Sequence, residues 1–498
     1  IPVISSMLGS CVDSEKSSIE HKNLSKKNRN PVDEFLNYDM LGLAELIKTN
    51  QLSQKELLEV IINRIEKVNP EINCIATQSF TRARDKISSF GKESVFAGIP
   101  ILIKDMIDAA GIRRTDGSIL MATNIPQKSV QYIKSIENAG LNIVGTTTVP
   151  EFANGISSKL FGLYKNPWDL DRCCMMSSSG AGAAVSAGIL PMVHGTDGGG
   201  SNRLPSSACG TFGYKPTRGR MYSGEDYGGH DLFKTNGPIS RTVRDAAALF
   251  SVCEDINGEY TPIGMVTKAS NKRLKIAFMP AGVQGFPVEQ SIQDVQYQVA
   301  EQLRKMGHQV DEMKHPLDGL EFYDNFRHAF IPKYTPLLQA VNNITGKTPI
   351  KSGLIEPWTA SMIELSRDYS QEQIESGNQY FKNKLKSIYK PIFDEYDIIL
   401  SPTMPVETPL ANFITTDEDF AKRGIDLEML LSLTSPINPM GDCAMSVPLK
   451  FSEKTKLPVG SMFHAKSGND KMLFELAYEL EEVFPWKDKW APHSLMFT

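Results

Sequence analysis

The sequence predicts an α/β layer fold, built as one large domain with an added helical region, and three observations carry that expectation. Short apolar runs of strand character alternate with amphipathic helical patterns along most of the chain. A stretch of small residues from Met175 to Thr217 places two serine-bearing loops inside that alternation. From Leu317 to about Glu395 helical patterns dominate, punctuated by Pro332, Pro336, Pro349 and Pro357, as a cap over the sheet would be.

Taken in order, the chain begins with an ambiguous polar leader. Leu8-Gly9-Ser10-Cys11 resembles a bacterial lipoprotein processing box, and the polar run from Val12 to Asn30 follows as a tether would. Residues 1–31 are expected to be a leader and 32–498 the domain. Export or lipid anchoring follows if Cys11 is the lipoprotein cysteine, and a cytoplasmic location otherwise. Leu41 to Lys48 and Gln54 to Lys67 are amphipathic helices; Ser53 with Glu56 suits a capping box, and Pro70 is expected to stop the second helix. Gly98 to Asp105 contains a buried strand ending at Lys104, Ser129 to Ala139 a helix closed by Gly140, and Asn142 to Gly145 a strand. Ala183 to Leu190 is an apolar, helix-like run between the two serine loops. Further on, Leu274 to Met279 and Gln309 to Met313 are strands around a helix from Ile292 to Met306. Asp397 to Leu400, Ala444 to Val447 and Val459 to Phe463 return as strands, and Asn469 to Val483 is a closing helix.

Composition removes several function classes. The 498 residues are 41% hydrophobic and 22% charged, in the range of soluble globular proteins. A net charge of -5 without a basic, aromatic-interleaved stripe gives no footprint for nucleic acid. No apolar run approaches the length of a membrane span. The seven cysteines show no CxxC spacing and the eight histidines no HExxH pair, so neither a metal nor a disulfide framework is expected.

The chemistry is expected in the serine loops, Ser177-Ser178-Ser179-Gly180 and Gly195-Thr196-Asp197-Gly198-Gly199-Gly200-Ser201-Asn202-Arg203. Glycines let backbone amides approach a ligand closely, so Ser201 is placed to sit among free N–H groups, as an oxyanion hole requires. A serine hydroxyl needs an adjacent base to become nucleophilic. His194 and His230 are nearest in sequence, each also readable as a packed or surface histidine. Lys104 is the other candidate: among Ile99, Ile101, Leu102, Ile103 and Met106 it loses solvation, which favours the neutral amine. Its competing reading is a strand-end lysine that snorkels to water.

Together Ile99-Pro100-Ile101-Leu102-Ile103-Lys104-Asp105, Ser177 to Gly180, Gly195 to Ser201 and Cys209-Gly210 with Gly213-Tyr214-Lys215-Pro216-Thr217 resemble the amidase signature family. Gly145 to Phe152, Asn166-Pro167-Trp168, Gly237 to Asp245 and Leu457 to Gly460 fall in register with similar runs of that family, and the resemblance covers about residues 40–490. Trp168 and Phe484-Pro485-Trp486 look most like its 6-aminohexanoate cyclic dimer hydrolase branch. The resemblance implies a central mixed twisted sheet with helices on both faces. It implies a hydrolase that cleaves amide C–N bonds through an acyl-enzyme, without a cofactor, on a small-molecule amide. Its triad would be Ser201 as nucleophile, Ser177 as relay and Lys104 as base, with Gly198, Gly199, Gly200 and Ser201 amides around the oxyanion. Asn154, Met176 and Ser178 would touch substrate, Asp197 and Arg203 would brace the loop, Cys209 would pack, and the variable region 317–435 would shape specificity. A homodimer is family habit.

One departure stands out. Where the family has Gly-Gly-Ser-Ser-Gly-Gly-Ser, with a cis peptide before the bridging serine, this chain has Met175-Met176-Ser177-Ser178-Ser179-Gly180-Ala181. Methionine relieves the crowding of a cis bond less than glycine does. Two rival readings stay open: a degenerate member that binds a small amide or a partner without turnover, and a glutamine-hydrolysing amidotransferase subunit, against which the stretch from Arg220 to Asn236 argues.

Overall fold

Strand-forming runs rich in Ile, Val and Leu become the buried ladders of the protein. The computed structural model describes residues 33–222 and 232–497; Cys11 and His230 lie outside the described residues. The chain divides into residues 1–34 and a compact unit, residues 35–498, to which all that follows belongs. Its strands are β1 (Ile75–Gln78), β2 (Ile99–Lys104), β3 (Leu141–Thr147), β4 (Lys165–Asn166), β5 (Asp169–Cys173), β6 (Met192–Asp197) and β7 (Phe212–Lys215). They continue as β8 (Thr235–Ser240), β9 (Lys275–Phe278), β10 (Gln309–Glu312), β11 (Ile398–Pro402), β12 (Cys443–Phe451) and β13 (Pro458–Ala465).

The large sheet has eight strands in the order β10-β9-β11-β13-β12-β7-β8-β6. It is mixed: β9 pairs in parallel with β10 and β11, and the remaining pairs are antiparallel. The expected central mixed sheet is accompanied by a second, three-stranded ladder, β1-β3-β2, with β2 and β3 parallel. The reason lies where β2 packs beside β6. There the Lys104 N–H donates to the ring Nδ1 of His194 at 3.3 Å, so a side chain takes the place of a strand carbonyl.

Helices cover both faces, as adjacent residues of β7 demonstrate. A Cβ on Gly213 would lie 2.2 Å from Ser206 Oγ of the Arg203–Cys209 helix, while the Tyr214 ring stacks on Phe474 of the Asp470–Val483 helix at 4.2 Å. Successive strand residues point to opposite faces, so these two helices sandwich the sheet.

Local signals mostly set the helix ends. Ser53 accepts from Glu56 N–H at 3.1 Å and starts the Gln54–Ile72 helix. Pro70 does not stop that helix as expected; it sits in the last turn, where the chain already ends in a left-handed Asn73 (φ 58°). The helix expected over Ala183 to Leu190 starts earlier, spanning Ser179–Ser186. Its glycine is required there, since a Cβ on Gly180 would stand 2.6 Å from Thr148 N. Among the described residues no helix is long and apolar enough to cross a membrane. Between β10 and β12 the chain forms helices Gly319–Phe330, Thr335–Thr345, Pro357–Glu364, Gln371–Gln379, Leu385–Glu395 and Phe420–Leu431, interrupted by β11.

Candidate active site

Lys104 ends β2, whose six residues are all buried, and its own side chain is wholly inaccessible. The amine therefore cannot snorkel. Its Nζ lies 2.7 Å from Ser177 Oγ and 2.7 Å from Thr196 Oγ1, with Thr196 O at 3.3 Å. Burial first, and then the charge of Lys234, hold this amine well below the usual lysine range, while Asp197 and Asp116 pull weakly the other way. That lowering favours the neutral amine beside the Ser177 hydroxyl.

Ser177 opens the turn that leads into the Ser179–Ser186 helix, and its backbone N–H donates to Ser201 Oγ at 3.4 Å. The structure thus brings together Lys104, Ser177 and Ser201, which are far apart in sequence. The Met176–Ser177 peptide is trans, in contrast to the bond the resemblance implies, since the described residues contain no cis peptide. Met175 and Met176 instead take left-handed conformations, φ 61° and 48°. Such positions persist only where surrounding structure over-determines them. Met176 lines the cavity described below; Met175 turns into the core, against Cys173.

Ser201 follows β6 across the glycine loop, and the loop is pinned by a buried ion pair. Asp197 receives Arg203 Nε at 2.9 Å and Nη2 at 3.0 Å, with both side chains fully buried. Asn438 Nδ2 adds a bond to Asp197 at 2.9 Å, and Arg203 Nη2 also reaches Asn438 Oδ1 at 2.7 Å. Burial alone would raise the Asp197 carboxyl, yet the guanidinium and these donors hold it below the usual carboxylate range. The same carboxylate accepts the Gly200 N–H at 2.7 Å. That donor is spent, so the expected oxyanion role of Gly200 is corrected: Gly200 serves the turn, at φ 124°, where a Cβ would meet Thr434 Oγ1 at 2.3 Å. Gly198 and Gly199 do line the cavity, and among the described residues their N–H groups and that of Ser201 find no protein acceptor.

Ser178 is also corrected. Fully buried, it donates to Thr196 O at 3.1 Å and accepts from Thr196 N at 3.3 Å, which ties the two serine loops together away from the cavity. Asn154 does line the cavity; its Nδ2 donates to Phe152 O at 3.0 Å and to Tyr334 OH at 2.9 Å. His194 is no base: with Nδ1 occupied by Lys104 N–H, its Nε2 faces Asn236 Oδ1 at 3.2 Å, and burial pushes its pKa down to about 3. Cys209 is buried, as are the other described cysteines.

The cavity beside Ser177 and Ser201 holds about 360 Å³. Tyr323, Phe326, Arg327 and Phe330 line it from one face of the Gly319–Phe330 helix, at the spacing such a face requires. Phe420, Leu427, Glu428 and Leu431 line it from the Phe420–Leu431 helix. Arg327 and Glu428 join the two helices in a bidentate pair, at 2.7 and 2.6 Å. Sequence reasoning gave no role to Thr196, Thr434, Asn438 or this ion pair. Thr196 lay inside a quoted motif; the others stand far along the chain from the loops they brace, and no local pattern marks them.

The Amidase family model matches residues 56–474. The AmiC protein of Mycobacterium leprae is 32% identical over 455 residues, covering 90% of this chain and 95% of its own. The 6-aminohexanoate-cyclic-dimer hydrolase of Paenarthrobacter ureafaciens is 27% identical over 485 residues, again 90% of this chain and 95% of its own. A solved 6-aminohexanoate cyclic dimer hydrolase complexed with substrate superposes with a TM-score of 0.82 at 25% identity, covering 93% of this chain and 99% of that one. The chain belongs to the amidase signature family and is a hydrolase acting on amide C–N bonds.

Proposed function

We propose that hydrolysis runs through Ser201 as nucleophile, with Ser177 and neutral Lys104 as its proton relay. The contact of 2.7 Å between Lys104 Nζ and Ser177 Oγ, inside a site that forbids a solvated ammonium, carries the reading. Lys104 takes the Ser177 hydroxyl proton as Ser177 takes that of Ser201. The Ser201 oxygen then bonds to the amide carbon, and the N–H groups of Gly198, Gly199 and Ser201 face the charge that forms on the carbonyl oxygen. As the C–N bond breaks, the relay returns its proton to the leaving nitrogen, which departs as the amine. Water, deprotonated by the same route, releases the acid from Ser201.

The walls favour an amide with an apolar or aromatic body, because Phe326, Phe330, Phe420 and Met176 offer rings and thioether. Of the charged lining residues, Arg327 and Glu428 are paired with each other, and Lys234 and Lys333 complete the set. Ser201→Ala is the test: amide turnover falls by about 10³-fold or more while the fold is kept. A variant with wild-type turnover overturns the assignment. Covalent capture of Ser201 by a fluorophosphonate excludes the silent-binder reading.

A further inference from the structure

Gly198-Gly199-Gly200 has no side chain with which to hold its own backbone, and glycine loses more conformational freedom than any other residue when it is fixed. Amides that meet a developing charge must nevertheless be in place before it forms. What holds them has to come from outside the three glycines. One hold is Asp197, which accepts the Gly200 N–H at 2.7 Å. The other is Thr434, whose Oγ1 donates to Gly199 O at 2.8 Å. These two bonds grip both ends of a single peptide, Gly199–Gly200, and because a peptide is planar its orientation is then set. Among the described residues no other hydrogen bond reaches Gly199.

Thr434 is itself firmly placed. It is wholly buried and lies in the turn after the Phe420–Leu431 helix, which lines the cavity. The other acceptor within reach of its hydroxyl is Leu431 O at 3.2 Å. That oxygen already receives the Thr434 and Ser435 N–H groups and the Ser435 hydroxyl, so the Thr434 proton is needed at Gly199 O. Beside it, Ser435 Oγ meets Tyr323 OH at 2.8 Å, which ties the turn to the Gly319–Phe330 helix as well.

We infer that Thr434 is a positioning residue for the reaction: by fixing the Gly199–Gly200 peptide, it keeps the N–H groups of Gly199 and Ser201, on either side of that peptide, aimed at the substrate carbonyl oxygen. The helical region then serves bond cleavage as well as substrate choice. This role rests on the reading of those amides as the oxyanion site. Without the Thr434 hydroxyl, Gly199 O loses its donor and the peptide is free to turn. The loss is felt most where charge on the oxygen is greatest, so kcat suffers while KM is nearly kept.

Thr434→Val removes the hydroxyl and keeps the branched shape, whereas Thr434→Ser keeps the hydroxyl. On 4-nitroacetanilide, Thr434→Val is expected to lose about tenfold to 10²-fold in kcat with KM changed less than about threefold, and Thr434→Ser to stay within about threefold of wild type. A phenylethyl trifluoromethyl ketone reads the oxyanion site directly. The Ser201 oxygen bonds to its carbonyl carbon, the C=O pair moves onto oxygen as alkoxide, and the serine proton passes through Ser177 to Lys104. Its inhibition constant is expected to rise in Thr434→Val by the factor that kcat/KM falls, as for a transition-state analogue. Melting temperatures are measured alongside. A fall in melting temperature with kcat and the inhibition constant unchanged would show a merely structural role and overturn the inference, as would a loss confined to KM. Thr434→Ala stands in if Thr434→Val fails to fold. A wild type that the ketone does not inhibit, or turnover surviving in Ser201→Ala, overturns the oxyanion reading itself and this role with it.

Discussion

At the residue scale, the proposed role of Lys104 rests on burial and the charge of Lys234, which outweigh the pull of Asp197 and Asp116 toward a charged amine. Only neutral amine accepts a proton, so kcat/KM falls as pH drops through its lowered pKa, on the acid side of where a free lysine would titrate. Lys234 contributes to that lowering, so Lys234→Met moves the acid limb to higher pH, by about one unit or less. A pH profile of kcat/KM checks it; a shift to lower pH contradicts it. The folded state also binds fewer protons there than the unfolded chain, so stability lost to this burial is regained as pH climbs toward the free-lysine value. The glycines divide equally sharply. Gly200→Ala meets Thr434 at 2.3 Å in a left-handed turn, whereas a Cβ on Gly198 meets nothing within 4 Å. Turnover falls by about 10²-fold or more for the first and much less for the second, measured on one amide under saturating conditions. In sequence these glycines look equivalent. Their difference rests on Asp197, which takes one N–H and leaves its neighbours free, a choice made by folding rather than by composition.

At the element scale, strands and loops owe their placement to a few buried polar contacts. Asp197→Asn strands the Arg203 guanidinium in a dry site and costs about 3–5 kcal/mol, read as a drop in melting temperature with the lysine contact at Ser177 intact. Wild-type stability in that variant would contradict the bracing role. The strand ending at Lys104 and the helix started by Ser53 were legible because apolar run and cap are local signals. Pro70 misled because it lies in a last turn, where a missing N–H interrupts little. Ser178 misled because a serine beside a relay serine looks exposed to substrate, while its hydroxyl is consumed by Thr196.

At the scale of the whole molecule, β11 enters the large sheet between β9 and β13 only after the chain has run through the helical region. That long return is what sets those helices over Ser201. An α/β order was readable from the alternation of patterns; the strand order was not, because pairing depends on contacts between distant segments. The Arg327–Glu428 pair joins two cavity helices, so Arg327→Ala leaves a buried carboxylate unpaired and loosens that side of the cavity. KM is expected to rise about tenfold with kcat changed far less; equal losses in both would place the pair in catalysis instead. The central claim, that Ser201 is activated through Ser177 by Lys104, meets its most direct test in the rate of fluorophosphonate labelling, read by mass spectrometry of the modified peptide. The predicted result is a single adduct on Ser201 in wild type, formed at least about 10²-fold more slowly in both Ser177→Ala and Lys104→Ala. An adduct on another residue, or undiminished labelling in those variants, would contradict it.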